Sequence, residues 1–226
     1  MYGKPGAALL VIFALATVGT AVAHADSGAS PGSNGELDPL LLGPRQVSAI
    51  TGAPMVEAKL HTELGNDSSL TDSPLCASAW APSQASAYAG APFSTFSDAT
   101  LADAKSPNPV RHTVTEAVFE FSSTSAAADY ANQTLSAWRR CSNQTVTYQP
   151  PANPPARWQF GTATVSQDGT MLSLSQQPSA ASGFSCERAL THRANLVIDT
   201  MACGADSAGR AVSVAATIGE RIARSV

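Results

Sequence analysis

CERALTHRANLVIDTMAC, residues 186–203, reads as strand, turn and strand between two cysteines, and its register decides the fold. If Ala194 and Asn195 form a two-residue turn, facing positions step outward symmetrically from it, and Cys186 meets Cys203 at the open end. Facing residues on antiparallel strands lie about 4.5 to 5.5 Å apart at Cα, within reach of a disulfide. Closing that loop restricts the unfolded chain by roughly 3 kcal/mol, and a longer Cys76 to Cys141 loop by roughly 4 kcal/mol. Four cysteines allow three pairings; the hairpin register favours this one and leaves the others open. Metal ligation does not fit the spacing: C-x-x-C is absent, and His61, His112 and His192 are scattered singly. The expectation is no metal and no cofactor.

The thiols can pair only outside a reducing compartment, and the N-terminus supplies that context. Lys4, the apolar run at 7–18 and Ala23-His24-Ala25 have the layout of a secretory signal peptide over residues 1–25. The run is shorter than the roughly 20 residues a membrane span needs, and no later segment could span. No cysteine follows the cleavage point, so no lipoprotein anchor is expected and no stable membrane insertion remains after cleavage. Removal of residues 1–25 takes Lys4 and no acid, leaving 12 basic and 17 acidic side chains. That balance argues against nucleic acid as a partner, because neutralising phosphates requires a concentrated basic face.

Residues 26–36, DSGASPGSNGE, form a flexible linker rich in Gly, Ser and Pro. Gly28-Ala29-Ser30-Pro31-Gly32 matches G-x-S-x-G, but that motif needs a strand entering a helix to expose its serine. Ser30 has no such context and is not a nucleophile. Residues 37–226 are read as one domain. In LDPLLLGPRQVSAITG, residues 37–52, Pro44 suits a first helical turn and Gly52 the cap beyond the last. Residues 61–80 read as polar loop; Asn66, Asp67, Ser68 and Asp72 lack the central Gly and closing Glu of a calcium loop.

VTEAVFEF, residues 114–121, alternates as a half-buried strand, with Ala117, Phe119 and Phe121 on one face and Glu116 and Glu120 on the other. The two glutamates stand about 13 Å apart, too far for a glycosidase pair. Residues 122–125 offer N-cap oxygens to a helix docking by Ala127, Ala131, Leu135 and Trp138. TVTYQ, residues 145–149, reads as a strand, Asp168-Gly169 as a hairpin turn, and residues 206–225 as a closing helix with Ala211, Ala215, Ile218 and Ile222 inward and Asp206 or Ser207 at its start. His192 and Arg193 fall at a solvated hairpin tip. Crossover connections are mostly missing, so the fold class is α+β, a twisted, largely antiparallel sheet with packed helices.

The succession LDPLLLGPRQVSAITG, the lone cysteine of SPLCASAW, the helix ending Trp-Arg-Arg-Cys at 138–141, the Trp158 segment and CERAL followed by NLVIDTMAC resembles the PknH-like extracellular sensor-domain family from about residue 37 to 224. The resemblance implies a single α+β domain with Cys76 joined to Cys141 and Cys186 to Cys203, and a cleft for a ligand. In the family's kinase receptors this domain follows a transmembrane helix and an intracellular kinase. Neither is in this sequence, so the expectation is a free-standing exported relative: a non-enzymatic ligand-binding domain of the bacterial cell envelope, secreted or retained there, taking an unknown small molecule or cell-wall fragment. An extracellular hydrolase or transferase is the alternative, and would require a base beside a nucleophile or paired carboxylates in a cleft. The expected mature N-terminus is Asp26; N-terminal sequencing of the exported protein checks it, and a retained Met1 overturns it.

Overall fold

The computed structural model describes residues 35–103, 112–149, 154–180 and 183–225. The signal-peptide segment 1–25, Ser30 and most of the 26–36 linker lie outside these; Gly35 and Glu36 enter a turn in which Asp38 N–H donates to the Gly35 carbonyl at 3.2 Å. After a 3-10 turn at Asp38–Leu40 come α1 (Pro44–Thr51), β1 (Met55–His61), a second 3-10 turn (Asp67–Leu70), α2 (Pro74–Trp80), α3 (Ala85–Tyr88), β2 (Phe93–Asp103) and β3 (Thr113–Phe121). Then follow α4 (Thr124–Cys141), β4 (Thr145–Tyr148), β5 (Ala156–Phe160), β6 (Thr164–Val165), β7 (Leu172–Pro178), β8 (Ser185–Arg193), β9 (Leu196–Gly204) and α5 (Arg210–Ser225).

All described strands pair antiparallel in one sheet of order β1-β2-β3-β9-β8-β7-β5-β4, with β6 hairpinned onto β7. The β8–β9 hairpin turns at Ala194 and Asn195, pairs Arg193 with Leu196 and brings Cys186 opposite Cys203. Disulfides join Cys186 to Cys203 and Cys76 to Cys141. The β6–β7 hairpin turns through Asp168 and Gly169, whose φ of +75° suits a residue without Cβ.

Two apolar cores flank the sheet. On one face α2, α3 and α4 pack Trp80, Tyr88, Tyr130 and Trp138 against Phe96, Phe119, Leu174 and Leu190. On the other, the N-terminal segment, α1 and α5 pack Leu41, Leu42, Val47, Val214 and Ile218 against Leu101, Val114, Val118 and Ile198. Arg221 on α5 fastens that layer by donating to the carbonyls of Pro39 and Leu41. The two edge strands are managed differently. β1 carries an irregularity between Glu57 and Lys59, a device that discourages pairing with another chain. β4 is partly covered by residues 70–72, where Asp72 N–H donates to the Thr147 carbonyl and Gln149 N–H to that of Leu70.

Four local expectations are corrected. Residues 74–80 of the expected polar loop form α2, because Cys76, Ala77, Ala79 and Trp80 share a buried face. Strand 114–121 is covered on both faces: it lies mid-sheet between two helical layers, and Glu116 is wholly buried, accepting from Leu42 N–H at 3.1 Å. The buried stripe of α4 is Ala127, Tyr130, Thr134, Trp138 and Cys141, with Ala131 and Leu135 only partly covered. The last helix starts at Arg210, later than Asp206 or Ser207, and Glu187 of β8 accepts from its Ala211 N–H at 3.1 Å, where a carboxylate meets the positive end of the helix dipole.

Replacing Cys186 and Cys203 together by Ser is expected to cost about 2 to 5 kcal/mol while the protein still folds at low temperature. Chemical denaturation of the variant measures this. Non-reducing peptide mapping of the wild type checks both bridges.

Candidate functional site

On the α2–α3–α4 face, α4 runs beside the segment that leads from α3 into β2, and the two enclose a groove of about 450 Å³. Its α4 wall is Ala126, Asp129, Gln133, Ala137 and Arg140; the facing lip is Ala87, Ala89, Gly90, Ala91 and Pro92. Short side chains on both sides leave the space unfilled. Tyr130, Thr134, Trp138, Ser78 and Ser86 complete the lining. Ser123 caps α4 by accepting from Ala126 N–H at 3.1 Å, which sets where the helix begins and which flank it turns to the groove.

Two residues of the lining carry a buried polar atom that is chemically unfinished. The indole Nε1 of Trp138 and the hydroxyl of Ser86 are buried and have no hydrogen-bond partner among the described residues. An indole N–H only donates, whereas a hydroxyl donates and accepts. Leaving such a group unpaired costs about 1 to 3 kcal/mol, so the groove holds unspent polar capacity.

Beneath it lies a buried ion pair. Arg188 on β8 and Asp199 on β9 have no side-chain exposure and meet through two bonds, Nε to Oδ1 at 2.9 Å and Nη2 to Oδ2 at 2.7 Å. Arg188 Nη1 donates to the Ser78 carbonyl at 2.7 Å, and its guanidinium lies 5.0 Å from the Trp138 ring centroid. Tyr88 donates its hydroxyl to Asp199 Oδ2 at 2.9 Å and stacks between Phe119 and Tyr130. Burial and the Asp199 charge push the Tyr88 phenol well above its usual range, and the same two causes raise Tyr130 beyond the usual phenol range. Both remain hydrogen-bond donors at any physiological pH.

The residues singled out in the sequence divide between structural and peripheral places. Cys76 and Cys141 link α2 to the end of α4, covalently setting the helices that support the groove. Cys186 and Cys203 pin the β8–β9 hairpin. Glu116 serves the N-terminal segment, and Glu120 lies near Asn195, with Asn195 Nδ2 3.5 Å from Oε1. Asn66 accepts from the Ser68 hydroxyl, and Asp72 from Thr147 N–H. No cluster of three or more metal-ligating side chains occurs among the described residues. His192 and Arg193 border a second cavity, of about 420 Å³, with Asp168, Met171 and Glu220 on the α5 face. The groove itself went unread in sequence, because its lining of small and polar residues comes from segments distant in the chain, 87–92 and 126–140; the available signal was Trp138, read as core, which is both core and groove lining.

A family model described as PknH-like extracellular domain matches residues 33–221. The chain is 26% identical over 220 residues to the serine/threonine-protein kinase PknH of Mycobacterium bovis, covering 96% of this chain and 36% of that protein. Its identity to PknH of Mycobacterium tuberculosis H37Rv is also 26%, over 34% of that protein. The chain thus spans about a third of the length of these relatives. The crystal structure of the extracellular domain of PknH from Mycobacterium tuberculosis aligns with a TM-score of 0.76 at 24% identity, over 87% of this chain and all of that one; at this identity the likeness speaks for the fold alone.

Near the ion pair, Asp98 on β2 occupies the same sheet row as Asp199, with Ala117 between them. Its carboxyl is pushed up to about 7, chiefly by burial and further by Asp199, with the Ser83 hydroxyl and Lys59 pulling the other way. A carboxyl whose folded pKa exceeds its unfolded value stabilises the fold below the unfolded pKa, near 4, and that stabilisation is lost as pH rises through 7. The full effect is on the order of 4 kcal/mol. Wild type is expected to lose more stability between pH 5 and pH 8 than Asp98→Asn, which stays neutral. Denaturation of both proteins at the two pH values isolates the Asp98 contribution, since His61, held low by burial and Lys59, titrates in both.

Proposed function

The chain belongs to the PknH-like extracellular domain family, and on that premise we propose that it is a non-enzymatic sensor-type domain of the cell envelope that holds an external ligand, a small molecule or cell-wall fragment, in the α4 groove. Family membership makes it an exported, envelope-associated protein, and no helix among the described residues is long and apolar enough to cross a membrane. Cleavage after Ala25 is part of the same proposal.

The observation that carries the reading is the groove itself, about 450 Å³ along α4, with Ser86, whose buried hydroxyl has no partner among the described residues, in its lining and the exposed Asp129 and Arg140 on its α4 wall. A bound molecule offering a polar group to the Ser86 hydroxyl satisfies a group the protein leaves unmatched, which is how a pocket gains orientation as well as affinity. Catalysis finds less support. Glu116 and Glu120 serve different partners, and Ser30 lies in the segment read as linker. Among the described residues, Asp129 is the carboxylate lining the groove, and no histidine lines it.

Ala137 lies on the groove wall and is only partly buried, so Ala137→Trp fills the space from outside the core. Wild-type protein titrated with a soluble envelope extract is expected to show amide shifts at Ser86 and at the Trp138 indole, and Ala137→Trp to lose them with its circular dichroism unchanged. Shifts that persist in the filled variant refute the assignment of the groove.

A further inference from the structure

The α4 wall bears opposite charges at its two ends. Successive helical residues are about 100° apart, so Asp129 and Arg140, separated by eleven positions, stand within about 20° of one another around the axis and about 16 Å apart along it. Both are exposed, both line the groove, and neither is in an ion pair among the described residues. Between them on the same flank are Gln133 and Ala137, with Ala126 one turn before Asp129. The groove is therefore a track with a carboxylate at one end, a guanidinium at the other and an amide between. Trp138, two positions from Arg140, points about 200° away from it and is wholly buried, so Arg140 supplies the charge at that end.

Resting on the reading that this groove is the ligand site, we infer that its occupant is a short extended peptide of small residues lying along α4, its ammonium group at Asp129 and its terminal carboxylate at Arg140. An extended chain advances about 3.3 Å per residue, so four or five residues span the roughly 16 Å between the charges. Ala126 and Ala137 on the α4 wall and Ala89, Gly90 and Ala91 on the lip leave width for a main chain with small side chains. Gln133, one turn beyond Asp129, offers both donor and acceptor to a peptide group. A neutral saccharide of the same length could use Gln133 and Ser86 but would leave both end charges without a role. The dipole of α4 favours the reverse polarity, but it is screened at exposed ends, and Arg139 and Arg140 both stand in its last turn.

The test uses the full exported chain and four probes: tetra-alanine with free ends, its N-acetyl form, its C-amide form and the neutral trisaccharide triacetylchitotriose. Free tetra-alanine is expected to shift the Trp138 indole resonance. Capping either end should weaken binding at least tenfold. Asp129→Asn should abolish the difference between free and N-acetylated peptide, and Arg140→Gln that between free and amidated peptide. Both residues are exposed, and circular dichroism verifies that each variant is folded. Equal binding of free and capped peptides, or end-group discrimination that survives both substitutions, overturns the inference. If triacetylchitotriose shifts the groove resonances while every peptide leaves them unmoved, the peptide assignment falls and the groove stands as a binding site. If neither these probes nor envelope extract moves them, both readings fall.

Discussion

The Arg188–Asp199 ion pair is the constraint on which the rest of the molecule depends. It joins neighbouring strands of the central hairpin, and its remaining hydrogen-bonding capacity reaches all three helices of one layer. Ser78 of α2 accepts from the guanidinium, Tyr88 of α3 donates to the carboxylate, and Trp138 of α4 lies over the cation. Replacing a buried pair by well-packed apolar residues is often neutral in stability, whereas removing one partner strands a charge and costs about 3 to 5 kcal/mol. The pair's contribution is thus better understood as specification: only one placement of α2, α3 and α4 satisfies every donor and acceptor at once. The groove is the space those placements leave.

Covalent structure reinforces the same arrangement. Cys76–Cys141 ties α2 to the C-terminal end of α4, beside the Trp138 indole, while Cys186–Cys203 closes the open end of the hairpin that carries Arg188 and Asp199. One bridge fixes the helices and the other fixes the strands that orient them. Walls held this way cannot collapse to fill the missing volume with side chains, and a preorganised site loses less conformational entropy when occupied.

How much of this was legible depended on whether a segment's role showed in its own periodicity. The hairpin register followed from a two-residue turn and the positions of two cysteines. α1 announced itself by Pro44 and Gly52, which takes φ of +71°, and α4 and α5 by apolar repeats. β2, FSTFSDATLAD, gave no such signal: Ser97 and Asp98 are buried in a strand covered on both faces. α2 is seven residues long, too short for a repeat to stand out. The polar residues at the centre were hardest to place. Glu116, Asp98, Arg188 and Asp199 look like surface in a linear reading, because the partners that make their burial tolerable come from distant segments.

The same reasoning explains why a stable fold would leave the Trp138 indole and the Ser86 hydroxyl unmatched. Arg188 and Asp199 show that this protein can satisfy buried polar groups thoroughly, down to the third nitrogen of the guanidinium. Trp158 Nε1 and Gln176 Oε1 on the same face of the sheet are also unmatched among the described residues, so what sets Ser86 apart is its place in the groove lining. A group left unmatched costs about 1 to 3 kcal/mol in the unliganded fold, and at the groove a bound partner recovers that cost at the moment of binding. Stability withheld from the empty state thus becomes affinity in the occupied one, the exchange expected of a site selected for recognition rather than for packing.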